Sequence, residues 1–111
     1  MRRYCRKVGD TGEDFVAKML ENEGYVIIDR NFRTKVGEID IIASRNGTIH
    51  FIEVKTRTGN EFGYPADAVT ESKQNTIKRS SEIYLSRRRL MWKSVSLDVA
   101  EVTFNLIENC M

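Results

Sequence analysis

Two carboxylates and a lysine in this chain have the types and spacing for phosphoester chemistry. Asp40, Glu53 and Lys55 read D-x12-E-x-K. On extended backbone, side chains two apart share a face, so Glu53 and Lys55 point the same way. Between Asp40 and Glu53 stands Asn46-Gly47, a dipeptide favoured in two-residue hairpin turns. Pairing the arms around that turn sets Asp40 directly across from Glu53. Like charges opposite one another on a sheet destabilise it; at ~4 Å and an effective dielectric near 20 they repel by about 4 kcal/mol. A stable domain avoids this unless a cation lies between them or a proton neutralises one. Mg²⁺ or Mn²⁺ suits the position, because hard ions take oxygen ligands and bind through one or two carboxylates plus a substrate phosphate. Such an ion polarises a phosphoryl oxygen, lowers the pKa of a bound water and steadies the leaving oxygen. The Lys55 ammonium would favour hydroxide on that water and offset charge developing in the transition state.

The elements that must position these groups can be read from periodicity. Val16, Met19, Leu20 and Glu23 recur at helical spacing over about Thr11 to Glu23, with Asp10 as the expected N-cap and Gly24 as the stop. Glu13 is the fourth candidate, catalytic and metal-binding. It would stand three residues after the cap, as in a capping box, and it also leans toward the stripe of Val16 and Leu20. An extended segment from Tyr25 to Arg33 follows, then a turn at Lys35-Val36-Gly37. Glu38 to Ala43 and Thr48 to Thr56 are the hairpin arms. The second is apolar on both faces, Ile49 and Phe51 against Ile52 and Val54, as in a central strand covered on both sides. His50 falls on the face opposite Glu53 and reads as structural, and Glu38 either assists the acids or solvates the strand end. Thr58 to Tyr64 reads as a loop. Pro65, the single proline, is expected to open a helix reaching about Arg88, with Ala66, Val69, Lys73, Ile77, Ser80, Ser81 and Tyr84 near one stripe. Trp92 reads as an anchor for that helix. A last strand covers Val95 to Phe104, with Val95, Leu97 and Val99 on one face.

The bulk properties agree with one domain over 1–111, its core about 9–106. The chain has 111 residues, 41% hydrophobic and 31% charged, with a net charge of +2. That charge does not announce a nucleic-acid partner, but its distribution is uneven. Arg2, Arg3, Arg6 and Lys7 form one basic group, Arg30, Arg33 and Lys35 a second, and Arg87, Arg88 and Arg89 a third. Arg30, Arg33, Lys35 and Arg57 are candidate nucleic-acid contacts; the alternative is scattered solvated charge. Cys5 and Cys110 have no metal-ligand spacing and read as free thiols. No apolar run follows the basic N-terminus and none spans a membrane, so a cytoplasmic location is expected.

These residues carry a resemblance. Gly12-Glu13, Gly24-Tyr25, Arg30-Asn31-Phe32-Arg33, Gly37-Glu-Ile-Asp40-Ile-Ile-Ala43, Phe51-Ile-Glu53-Val-Lys55-Thr-Arg57, Phe62-Gly63-Tyr-Pro65, Ala68-Val69, Lys73 and Tyr84-Leu85 look like the YraN family of uncharacterised bacterial proteins, over roughly residues 9 to 100. That family resembles the restriction-endonuclease-like PD-(D/E)xK superfamily and, within it, the Holliday-junction resolvases. The resemblance implies an α/β fold with an αβββαβ core, its mixed central sheet flanked by helices. It aligns Glu13, Asp40 and Glu53 with acidic positions and Lys55 with the lysine; Lys73 or Gln74 would match a polar position after the core motif, which adds both to the candidate nucleic-acid contacts. Ser80 and Ser81 depart from small alanines common in the family, and Ser96-Leu97 from an arginine and an aromatic before Asp98-Val99.

The expectation is a Mg²⁺- or Mn²⁺-dependent nuclease hydrolysing phosphodiester bonds of DNA, with branched and single-stranded forms among the candidate substrates. By analogy with resolvases a homodimer is one expected assembly. Two alternatives remain open: a nucleic-acid-binding protein using the fold without cleavage, and a partner-recruiting module whose acids serve an interface.

Overall fold

The computed structural model describes the backbone of residues 2–58, 70–88 and 92–104, and the side chains of 12–56, 70–88 and 92–103. Within these residues the order is α1 (Arg2–Asn22), β1 (Val26–Arg33), β2 (Glu38–Arg45), β3 (Thr48–Thr58), α2 (Glu71–Arg87) and β4 (Ser94–Phe104). The strands form one mixed sheet in the order β1-β2-β3-β4. β1, β2 and β3 are antiparallel neighbours, whereas β4 returns through α2 to lie parallel to β3.

Helix α1 begins at Arg2, so Asp10 lies inside it and is not its N-cap. The capping-box account of Glu13 fails with it; the basic first turns carry no apolar period to announce a helix. Its end is as the sequence implied. Gly24 takes φ +91°, Gly24 N donates to Glu21 O (3.0 Å) and Tyr25 N to Leu20 O (2.9 Å), the paired bonds of a Schellman stop. The buried stripe is narrower than the periodicity suggested. Val16 and Ala17 are buried, while Phe15 and Met19 are about half exposed.

Asn46 and Gly47 both have positive φ, 52° and 81°, which gives the hairpin turn a twist matching its strands. The register around it runs from Arg45 opposite Thr48 to Ile41 opposite Ile52, the one read from the turn. β3 is covered on both faces. Ile52 and Val54 join Val16, Ala17, Ile41 and Ala43 beneath α1, and Ile49 and Phe51 join Ile39, Ile42 and Tyr84 beneath α2. Trp92 packs against the second cluster, as an anchor should.

Thr70 is extended and its side chain accepts from Lys73 N, so it caps a helix that starts at Glu71 rather than running on from Pro65. Pro65, Ala66 and Val69 lie outside the described residues. Ile77, Ser80, Ser81 and Tyr84 are the buried face of α2. In β4, Val95, Leu97 and Val99 share a face but remain 45–49% exposed, since β4 borders the sheet.

Two glycines fix how closely the helices approach. A Cβ at Gly12 would collide with Thr56 Oγ1 on β3, and one at Gly37 with Thr76 Cγ2 on α2. Alanine at residue 12 gains about 1 kcal/mol of helix propensity, but overpacking against a β-branched neighbour costs about 1–3 kcal/mol. Gly12→Ala should therefore lower the thermal midpoint, and the Gly12→Ala, Thr56→Ala pair should recover part of the loss. A double-mutant cycle by thermal melting checks the coupling; purely additive effects would show that the approach is not tight.

Candidate functional site

The site lies where the ladder between β2 and β3 stops. The last paired residues are Ile41 and Ile52, so Asp40 and Glu53 are not joined as a ladder pair, contrary to the simplest register. Asp40 instead turns its carboxylate to the neighbouring strand, where Oδ2 accepts from Val54 N at 2.8 Å. Glu53 is 6% exposed. Asp40 and Glu53 nevertheless line one cleft of about 380 Å³, with Gly37, Glu38, Lys73 and Thr76.

A buried carboxylate requires a charge or hydrogen-bond partner, and here two lysines supply it. Lys73 Nζ lies 2.6 Å from Glu53 Oε1, and Lys55 Nζ lies 3.9 Å from the same oxygen. Lys73 reaches Glu53 because α2 is held at its first turn. Thr70 Oγ1 accepts from Lys73 N at 3.1 Å. Gly37 lets Thr76 approach the turn between β1 and β2. Thr34 Oγ1 binds that turn through Gly37 N and Val36 N, both at 3.1 Å, and meets Ser80 Oγ at 3.2 Å.

Glu13 is half-buried on α1 and faces the acids from the other side. Asn31, in the left-handed region at φ 54°, bridges the acidic groups: with its amide nitrogen turned toward them it donates to Glu13 Oε1 at 3.1 Å and to Glu38 Oε1 at 3.2 Å. Asparagine tolerates this backbone better than most residues. The sequence offered no reason to single it out. Lys73 did carry a signal, since it falls on the α2 stripe four residues before Ile77.

The basic candidates are less gathered. Arg30 NH2 lies 2.8 Å from Asp14 Oδ1 on α1. Arg33 Nε lies 3.6 Å from Glu38 Oε1, at the rim of the cleft, and its side chain is largely exposed. Lys35 and Gln74 are exposed. Arg57 belongs to β3 by its backbone, but its side chain is outside the described residues, as are those of the N-terminal basic group. His50 is on the far face, where Nδ1 lies 2.6 Å from Asp98 Oδ2 and the ring meets Tyr25 edge-on.

Electrostatics separate the members. Burial, followed by the charges of Glu53, Glu13 and Glu38, raises Asp40 from 3.8 to about 7 against the lowering effect of the Val54 amide. Burial, then the adjacent Lys73 ammonium, lowers Lys55. The hydrogen bond to Glu53 raises Lys73. The donor chemistry suits a hard divalent cation: carboxylates crowd one cleft, and one of them, Asp40, holds its proton up to about neutral pH because it is buried and faces other carboxylates. Among the described residues, however, no three acidic, histidine or cysteine side chains converge closely enough to hold an ion as they stand.

The folded protein holds a proton on Asp40 that the unfolded chain releases near 3.8. Stability from this group is thus fully present below that value and is lost as pH rises to about 7. Asp40→Asn removes the dependence. The stability of this variant relative to the parent should rise across that window and level off above it, as measured by urea denaturation at a series of pH values without metal. A difference constant with pH would mean that Asp40 is not perturbed.

A relative from Clostridium perfringens is 44% identical over 106 residues, covering 96% of this chain and 87% of its own. One from Caldicellulosiruptor saccharolyticus is 44% identical over 101 residues, covering 91% and 86%, and one from Dictyoglomus turgidum is 38% identical over 97, covering 87% and 82%. Each is called a UPF0102 protein. The family model described as "Uncharacterised protein family UPF0102" matches residues 12–102, which hold Glu13, Asp40, Glu53, Lys55 and Lys73. The chain belongs to the UPF0102 family, the YraN family of the sequence resemblance.

Proposed function

We propose that this protein is a divalent-metal-dependent nuclease of the PD-(D/E)xK type that hydrolyses phosphodiester bonds of DNA. One observation carries the reading: a carboxylate 6% exposed on a central strand shares a cleft with Asp40 and Lys73 and has the amines of Lys73 and Lys55 at 2.6 and 3.9 Å from one of its oxygens. Structural packing alone gives no reason to crowd these groups, since apolar residues of similar volume would be as stable or more so.

Asp40 and Glu53, with Glu13 behind them, are the residues that would hold Mg²⁺ or Mn²⁺. When bound, the ion would activate a water and stabilise charge on the phosphoryl group. The chain's own groups supply the rest. Lys55, its pKa lowered by burial and by Lys73, can exchange a proton with a water beside Glu53 more easily than an exposed lysine can. The Val54 amide holds Asp40 in place from the backbone, which limits the rearrangement needed during reaction. Arg33 at the rim of the cleft, with Lys35 and Arg57, would contact the phosphates on either side and give salt-dependent binding.

A second reading has its own support. Glu53 is already neutralised by Lys73, which suits a protein that binds nucleic acid through its basic groups and does not cleave it. Incubation with duplex, single-stranded and four-way-junction DNA in Mg²⁺ or Mn²⁺ separates the two. The nuclease reading expects metal-dependent product, with Glu53→Gln reducing the rate at least ~100-fold while its circular dichroism and cooperative melting stay like those of the parent. Salt-sensitive binding without product would establish the second reading, and product undiminished by Glu53→Gln would remove Glu53 from the chemistry.

A further inference from the structure

Lys73 stands where an incoming cation would have to act. Its ammonium is 2.6 Å from Glu53 Oε1, closer than Lys55 by more than an ångström. The carboxylate it holds is buried, but the Lys73 side chain itself is 40% exposed. One end of the ion pair is therefore fixed in a strand, while the other sits on a four-carbon stem with solvent beside it. Its backbone is held too: Thr70 caps the first turn through Lys73 N, and Thr76 lies against Gly37. Lys73 can leave Glu53 by rotating its side chain, with no movement of α2.

We propose that Lys73 is a built-in counter-ion that occupies Glu53 in the metal-free protein and competes with the divalent cation for it. This rests on the reading of Asp40 and Glu53 as the cation's ligands. A buried carboxylate left unpaired is costly, so the metal-free fold needs a positive partner at that oxygen. A lysine meets this need reversibly, because it is a point charge with no fixed bidentate geometry to break. Cation binding then exchanges one positive partner for another and returns the Lys73 ammonium to the mouth of the cleft, where a substrate phosphate would arrive. Lys73 is a positioning residue: it sets the affinity for the cation and couples ion loading to the charge offered to substrate.

The competition is measurable without any nuclease assay. Isothermal titration of the purified protein with MnCl₂ and MgCl₂ at about pH 8, where ordinary carboxylates are ionised, should give a Kd about tenfold tighter for Lys73→Gln than for the parent. Lys78→Gln removes an equal charge from an exposed position on the same helix and should change Kd by less than about twofold. In melting experiments the parent should gain less thermal stability from Mn²⁺ than Lys73→Gln does, and without metal Lys73→Gln should melt lower than the parent. A Kd unchanged or weakened in Lys73→Gln overturns the proposal, as does an equal tightening in Lys78→Gln, which would reduce the effect to overall charge. If the parent cleaves DNA with Mg²⁺ while Lys73→Gln binds the ion no more tightly, the competition fails and the nuclease reading stands. If Lys73→Gln binds the ion more tightly but neither protein cleaves any of the DNA forms, the competition stands and the nuclease reading fails.

Discussion

Glu53 sits in a strand covered on both faces, and there a carboxylate is tolerated only with positive charge at hand. β3 has α1 and its cluster on one side and α2 and its cluster on the other. An ionised group in such a place loses most of its hydration and must recover it from neighbours. The surrounding architecture meets this condition in several ways. α2 ends its approach at Gly37, which sets its first turn over the cleft; Thr70 fixes that turn; and Lys73 extends from it to Glu53. Without these contacts α2 could still bury Ile77 and Tyr84, but nothing would direct a lysine at a strand carboxylate.

The two helices divide the work unequally. α1 approaches the sheet closely at Gly12 and brings an acid, Glu13, toward the acids already on β2 and β3. α2 brings a cation. Burial, joined by the acids that converge from three elements, raises Asp40 to about 7, while the single lysine held closely at Glu53 relieves only part of the excess. The apolar clusters on either side of β3 bear this electrostatic cost: Ile41, Ile42, Ala43, Ile49 and Phe51 are all fully buried, and burial of this extent tolerates a few kcal/mol of unfavourable charge. Asn31 lowers the cost further by presenting one amide to two carboxylates. A site of this kind is a place where local stability rules are broken together, and function is the usual reason for it.

Much of this was legible in the residues, and the exceptions have physical causes. The hairpin register followed from Asn46-Gly47, because a two-residue turn leaves no freedom in pairing. The double burial of β3 followed from apolar residues on both parities, and the end of α1 from Gly24. The beginning of α1 was hidden because Arg2 to Lys7 have no apolar period, and periodicity reports only helices that face a core. The start of α2 was misplaced because a proline is a common but not obligatory opening, whereas Thr70 supplies the cap that the structure uses. Asp40 across from Glu53 was read as one more ladder pair. The ladder between β2 and β3 ends one pair earlier, and a side chain takes the Val54 amide in its place, a substitution that sequence spacing does not record. Asn31 went unnoticed since a left-handed asparagine in a strand announces itself only through φ. The basic groups read as candidate nucleic-acid contacts or as scattered solvated charge, and their spacing does not show that Arg30 and Arg33 have acids of neighbouring elements within reach.

The hydrogen bond from Val54 to Asp40 bears on what the cleft can do. Oδ2 of Asp40 accepts from the backbone of the very strand that carries Glu53. The Asp40 carboxylate is therefore held by main chain, while Glu53 is held by the lysine side chains at its Oε1. A pair held by long side chains alone would relax apart to reduce repulsion; here the Val54 amide restrains the Asp40 member. Restraint against repulsion is costly in an idle protein and useful in one that binds a cation, because less ordering is then left for the ion to impose. Lys73 fits the same logic from the opposite direction. It supplies charge to a buried carboxylate, and of the two lysines at Glu53 it is both the nearer and the more exposed. Rigid acids and a movable base are what an exchangeable cation site requires of its surroundings.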